Sequence, residues 1–165
     1  MRPLRVLVGT MFEVKFKIMK NIKAGVAFLF TLVGSTVFGQ LPEVFSTSKG
    51  AIDGYDPVAF FKQSKPVPGK PKFNYLWNGA TWNFASKENL DLFKASPEKY
   101  APQFGGYCAW GTAAGHKSPT QAETWTIEDN RLYFNYNQSV KKKWMENQKE
   151  LIEKANKIWP TLRKE

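Results

Sequence analysis

Apolar and polar residues alternate over Phe73-Asn-Tyr-Leu-Trp77 and again over Ala80-Thr-Trp-Asn-Phe84, with Asn78-Gly79 between them. Period-two alternation marks half-buried strands, and Asn-Gly accepts the positive φ angles of a type I′ turn, so the segment predicts a β-hairpin. A two-residue loop pairs Trp77 with Ala80, Tyr75 with Trp82 and Phe73 with Phe84. These six share one face, and Asn74, Leu76, Thr81 and Asn83 take the other. A second hairpin is predicted from Trp125-Thr-Ile-Glu128 and Arg131-Leu-Tyr-Phe134 about Asp129-Asn130. There Trp125 faces Phe134, Ile127 faces Leu132, and Glu128 opposes Arg131 as a cross-strand pair of opposite charge.

Between the hairpins the period changes to that of a helix. Ser86 is placed to cap Lys87–Ala95, with Leu90 and Phe93 on the buried side, and Ser96-Pro97 stops it and starts a second short turn to Ala101. Near the C-terminus, Val140, Trp144, Leu151, Ile152, Ala155 and Ile158 form one stripe, which predicts a long helix over 139–158 ended by Pro160. Lys142/Glu146, Glu150/Lys154 and Glu153/Lys157 are spaced to pair on its wet side. Lys62 to Lys72 contains three prolines and a glycine and reads as a surface loop.

Ahead of all this lies an uncharged run from Ala24 to Gly39, preceded by Lys20 and Lys23 and leaving through the small residues Val37 and Gly39. A basic start, an apolar middle and a small-residue exit are the layout of a secretory signal. The run is shorter than the roughly 20 residues of a bilayer-spanning helix and is interrupted by Thr31, Gly34, Ser35 and Thr36. We therefore expect residues 1–39 to be a leader cut after Gly39, with translation starting at Met19 or Met11, and residues 40–165 to form one domain. The expected location is outside the cytoplasm, periplasmic or extracellular, with no stable membrane span after cleavage.

The charge changes little in this picture. Of the formal net charge of +10, half comes from the leader, where six basic residues stand against Glu13. The remaining excess is spread along the chain, which fits solubility rather than the clustered patch of a nucleic-acid binder. Lys141-Lys142-Lys143 reads as the solvated face of the last helix. All six tryptophans lie beyond residue 39, so an aromatic core is expected.

Cys108 is the sole cysteine and His116 the sole histidine, so no intrachain disulfide forms. Both sit in a glycine-rich loop from Tyr100 to His116 that also holds Gly105-Gly106, Tyr107 and Trp110. This is the densest group of chemically capable side chains, and it is the candidate site. Earlier in the chain, Asp56-Pro57 is placed to start a single helical turn with Asp56 as the cap. The Asp56 carboxylate either caps backbone amides only or faces a ligand held against the later loop. Cys108 and His116 could supply two ligands to copper(I) or zinc, whereas a closed site takes three or four. A Cys108–His116 nucleophile pair and a buried structural thiol are the other readings. No phosphate loop, dinucleotide fingerprint, serine elbow or zinc-protease motif is present.

Gly54-Tyr-Asp-Pro-Val-Ala-Phe-Phe61, Trp82-Asn-Phe-Ala-Ser86, the run Phe93–Ala109 with Pro-Glu-Lys-Tyr and Gly-Gly-Tyr-Cys, and Ile158-Trp-Pro160 resemble the YHS domain family, in its exported, single-domain branch. In members fused to heavy-metal transport proteins, a cysteine follows Asp-Pro-Val and a cysteine pair lies at the hairpin-to-helix junction. The resemblance thus implies a metal-handling scaffold. Here those places hold Ala59, Phe84-Ala85-Ser86 and Asn89, so that ligand set is absent, and Cys108 is a different cysteine.

Together these readings predict an α+β domain. Two antiparallel hairpins form a small sheet, a short helix follows the first, and a long C-terminal helix packs on an aromatic core. The expected function is a non-enzymatic binding module for a soft metal ion or small molecule. Asp56, Tyr107, Cys108, Trp110 and His116 are the candidate ligand-binding residues. A thiol-dependent enzyme or redox accessory using Cys108, and an envelope interaction protein, are the alternatives.

Overall fold

Early in the fold the chain makes a tight turn at Ile52–Gly54, whose backbone is left-handed at Ile52 and Asp53. The computed structural model describes residues 41–165, which lie within the compact unit Val37–Glu165. The readings of a secretory signal over residues 1–39 and of a later start site fall outside the described residues. A minimal hairpin, β1 (Ser46–Thr47) with β2 (Gly50–Ala51), precedes that turn. Helix α1 (Pro57–Gln63) follows it. Asp56 caps α1 and Pro57 takes its first position, where a missing N–H costs nothing. Rather than the single turn expected, α1 runs for seven residues because Val58, Ala59 and Phe60 are fully buried.

Strands β3 (Lys70–Trp77) and β4 (Ala80–Phe84) form the first large hairpin around Asn78-Gly79, both with positive φ. Trp77 pairs with Ala80 and Tyr75 with Trp82, as the alternation requires. The predicted Phe73–Phe84 pair is not formed: the register shifts between Lys70 and Asn74, and Phe84 pairs with Lys70 instead. Pro71 supplies the reason. It has no N–H for the ladder, and its carbonyl accepts from Asn74 Nδ2 at 2.5 Å, so the chain bulges there. The surface loop expected over 62–72 is correspondingly confined to 64–69.

Helix α2 (Lys87–Ala95) is capped by the Ser86 hydroxyl, which accepts from Asn89 N–H at 3.2 Å. The short α3 (Pro97–Tyr100) leads into a tight turn at Gln103–Gly106 and then α4 (Ala109–Ala113). Strands β5 (Thr126–Glu128) and β6 (Arg131–Tyr133) make the second large hairpin, with Ile127 opposite Leu132 and Glu128 opposite Arg131.

The class is α+β, but the hairpins stay apart as two-stranded ladders and do not join into one sheet. Where β2 lies beside β4, the Asn83 amide donates to the Lys49 carbonyl at 2.7 Å, a side-chain bridge in place of a ladder bond. Gly50 fits there only because it has no side chain; a Cβ would stand 2.6 Å from the Thr81 carbonyl oxygen.

The C-terminal segment departs further from expectation. The single helix predicted over 139–158 is two, α5 (Gln138–Glu146) and α6 (Gln148–Leu162), broken at Asn147, whose φ of −134° is not helical. The break lets Trp144 turn fully into the core while α6 lays Leu151, Ile152, Ala155 and Trp159 against α4 and its neighbours. Pro160 does not end α6 but lies within its last turn. None of the three charge pairs expected along this segment closes. Among the described residues the ion pairs are Lys49–Asp53, Lys87–Asp91 and Arg163–Glu43.

Two aromatic clusters form the interior. Trp82, Phe84 and Phe93 of the first hairpin and α2 meet Phe60, Leu132 and Phe134 in the larger one. Phe104, Tyr133, Trp144 and Ala155 form the smaller one. No helix among the described residues is long and apolar enough to cross a membrane.

Candidate functional site

The end of β6 and the loop after α3 run side by side and fix Cys108. Its N–H donates to the Ser118 carbonyl at 3.1 Å, and the next N–H, Ala109, donates to the Phe134 carbonyl at 2.8 Å. Cys108 thereby becomes the cap of α4. Its sulfur accepts from Gly111 N–H at 3.3 Å, and the Thr112 hydroxyl donates to its carbonyl at 3.0 Å. The sulfur also lies 3.7 Å from Asn135 Oδ1, which accepts from Trp110 N–H at 3.3 Å. Asn135 is itself enclosed and held through its backbone, whose N–H donates to the Thr124 hydroxyl at 2.9 Å.

Around this anchor lies a cavity of about 190 Å³, lined by Cys108, Trp110, Gly111, His116, Ser118, Tyr136 and Val140. The walls and floor differ in character. Trp110 and Tyr136 stand 39% and 51% exposed at its rim, whereas Cys108 is 1% exposed at its base. Gly111 gives the imidazole its place: a Cβ there would come within 3.3 Å of His116 Nε2 and 3.2 Å of Ser118 Oγ. The loop therefore brings together Cys108, Trp110 and His116, with one indole, one phenol, one imidazole and one thiol converging on a small volume.

Two of the five candidate residues stand elsewhere. Asp56 does not line this cavity, and its carboxylate is spent on the fold. Oδ1 accepts from the N–H groups of Val58 and Ala59 at 2.8 and 3.3 Å, while Oδ2 accepts from Ala85 N–H at 2.8 Å and Asn89 Nδ2 at 2.6 Å. A fully enclosed carboxylate with four donors has no lone pair left for a ligand. Tyr107 is buried too. Its hydroxyl donates to the Pro42 carbonyl at 2.8 Å and its ring packs 5.7 Å from Phe45, and burial raises its pKa above the ordinary phenol value.

Sequence reasoning passed over Ser118, Asn135 and Tyr136. One signal for Asn135 existed: it directly follows the apolar run Leu132-Tyr133-Phe134, and a polar residue carried into the core behind such a run must find partners. The donor set bears on metal binding. Among the described residues no three or more His, Cys, Asp or Glu side chains gather. Cys108 and His116 are thus two donors, too few for a closed zinc site, while a thiolate favours a soft ion such as copper(I).

The fold and this cavity define a small α+β module built around one enclosed thiol. Residues 59–104 match the family model of the YHS domain, so the resemblance is shown from within α1 through the first large hairpin, α2 and α3. No curated protein and no solved structure matches the chain. The matched segment ends at Phe104, and the Cys108 cavity lies beyond it.

Proposed function

We propose that the chain is an exported, non-enzymatic binding module that holds a small molecule in the Cys108 cavity. The observation that carries this reading is the half-exposed pair Trp110 and Tyr136 over a buried polar floor. Apolar walls with few convergent polar groups suit small ligands. Export is supported by the run from Ala24 to Gly39. The burial of Cys108 argues against the thiol-enzyme alternative, because a working nucleophile has to be reached by its substrate.

A second reading, a soft metal ion on Cys108 and His116, rests on their sharing one cavity. One experiment separates the readings: elemental mass spectrometry and thiol titration of the purified chain, prepared without chelator, beside Cys108→Ser. The small-molecule reading expects no stoichiometric metal and a thiol that reacts only after denaturation. Stoichiometric copper lost in the variant would replace it with the metal reading. A thiol titrating fully in the native chain would overturn the non-enzymatic assignment.

A further inference from the structure

A second cleft, sharing no residue with the Cys108 cavity, opens where the two aromatic clusters meet. Its volume is about 220 Å³, and it is lined by Trp77, Trp82 and Trp159 together with Phe104. The indoles are held in place. Trp82 Nε1 donates to the Trp77 carbonyl at 3.0 Å, the Trp77 and Trp82 rings lie 5.9 Å apart, and Trp159 meets Phe104 at 6.0 Å. Phe104 is left-handed, with φ 55° and ψ 36°. That is a costly conformation for a bulky residue and one that clusters at binding sites.

The charges on the lining are Glu43, Glu98 and Arg163. Arg163 and Glu43 neutralise one another at 3.2 Å, and Glu98 is in no ion pair among the described residues. The cleft is therefore acidic and aromatic on a chain whose formal net charge is +10. Indole faces attract cations through the ring quadrupole, tryptophan most strongly, and a desolvated alkylated ammonium is the cation they prefer. The volume is below the roughly 300–1,000 Å³ of pockets that enclose drug-sized ligands, so it suits a head group.

We propose that this cleft binds a small alkylated ammonium ion, with the part-exposed Trp77 and Trp159 as its walls, the buried Trp82 holding Trp77 in place behind them, and Glu98 as its counter-charge. A neutral ligand of the same shape gains nothing from Glu98, which makes charge the deciding test. Choline and its neutral carbon isostere, with a tert-butyl group in place of trimethylammonium, are titrated by calorimetry into the full chain, Trp159→Phe and Glu98→Lys. Choline should bind saturably and the isostere about tenfold more weakly or not at all. Glu98→Lys, a change of an exposed side chain, should weaken choline about tenfold, Trp159→Phe several-fold, and Cys108→Ser should leave it unchanged. Phosphatidylcholine vesicles in a parallel flotation assay distinguish a lipid head group from the free ion; either source fits the site. Equal binding of the isostere, choline binding indifferent to Glu98→Lys, or no saturable heat from choline overturns the proposal.

Discussion

Asp56 Oδ2 accepts from Asn89 Nδ2 at 2.6 Å, tying the start of α1 to the first turn of α2 across thirty-three residues of chain. The same oxygen takes Ala85 N–H at the end of the first hairpin, so one carboxylate joins three elements. Asp56→Ala leaves four donors unanswered in a buried place. Asp56→Asn is nearly as harmful, because its amide would put a donor against the donors it must accept from. We expect each to cost about 3 kcal/mol, the range for losing a buried charged partner. Urea unfolding should show a lower midpoint at unchanged slope. A variant as stable as the parent would show that the carboxylate is not a structural cap.

Among the described glycines, Gly105 makes the sharpest steric demand. Its φ is +60°, and a Cβ there would stand 2.0 Å from the Glu43 carbonyl oxygen, which is backbone and has little freedom to move. Gly105→Ala therefore combines left-handed strain with a collision, at an expected cost of about 2–4 kcal/mol. Gly79→Ala is the control. Its φ is +72° but nothing lies within 4 Å, so it carries the backbone cost alone. Thermal unfolding should place Gly105→Ala well below Gly79→Ala; equal midpoints would remove the collision from the explanation.

Alkaline pH should loosen the fold where Tyr107 and Tyr133 are buried. Burial raises the pKa of Tyr107, and burial together with Asp129 and Glu128 raises that of Tyr133 despite the opposing Arg131, both from an ordinary 10.0. A raised phenol keeps its proton longer in the folded chain than in the unfolded one. Its contribution to stability is whole below pH 10.0 and is lost as pH climbs through the folded value. Lys117 and Lys141 work the other way: burial lowers both, so their penalty fades as pH approaches 10.5. Ultraviolet titration of phenolate should find a late-ionising fraction that ionises as the fold opens, and Tyr107→Phe should diminish it. Tyrosines titrating in one step at the ordinary value would refute this.

The hairpins were legible in the sequence because their information is local: Asn78-Gly79 and Asp129-Asn130 fix the turns, and alternation fixes the register beside them. The bulge at Pro71 was written in the chain as well, since a proline two residues before the alternating segment Phe73–Trp77 has no N–H to give a regular ladder. What could not be read is the break at Asn147. It depends on Trp144 reaching a core made by Tyr133, from another part of the chain, at 5.6 Å between ring centroids. Candidate residues divide along the same line. Cys108, Trp110 and His116 share one loop, and their meeting needed only that the loop fold back. Asp56 was read as either cap or ligand contact, and only the approach of Ala85 and Asn89 decides which. The tryptophan cleft assembles from the first hairpin, the turn at Phe104 and α6, so no local motif announces it.

Cys108 and Asn135 should act together on thiol protection. The thiol is at the base of its cavity, capping α4, and Asn135 Oδ1 sits against it while accepting from Trp110 N–H. In the native chain a disulfide reagent must wait for this corner to open, so labelling should be slow and become fast in denaturant. Asn135→Ala removes the acceptor for Trp110 N–H and leaves space beside the sulfur. Losing a buried partner costs about 1–3 kcal/mol, and each 1.4 kcal/mol is a factor of ten in the opening equilibrium. Native labelling should therefore accelerate by about tenfold or more. His116→Ala, from the exposed rim, should change it far less. Fast labelling of the parent chain, or an Asn135→Ala rate equal to the parent's, would mean that the reagent reaches sulfur through the cavity mouth without any opening.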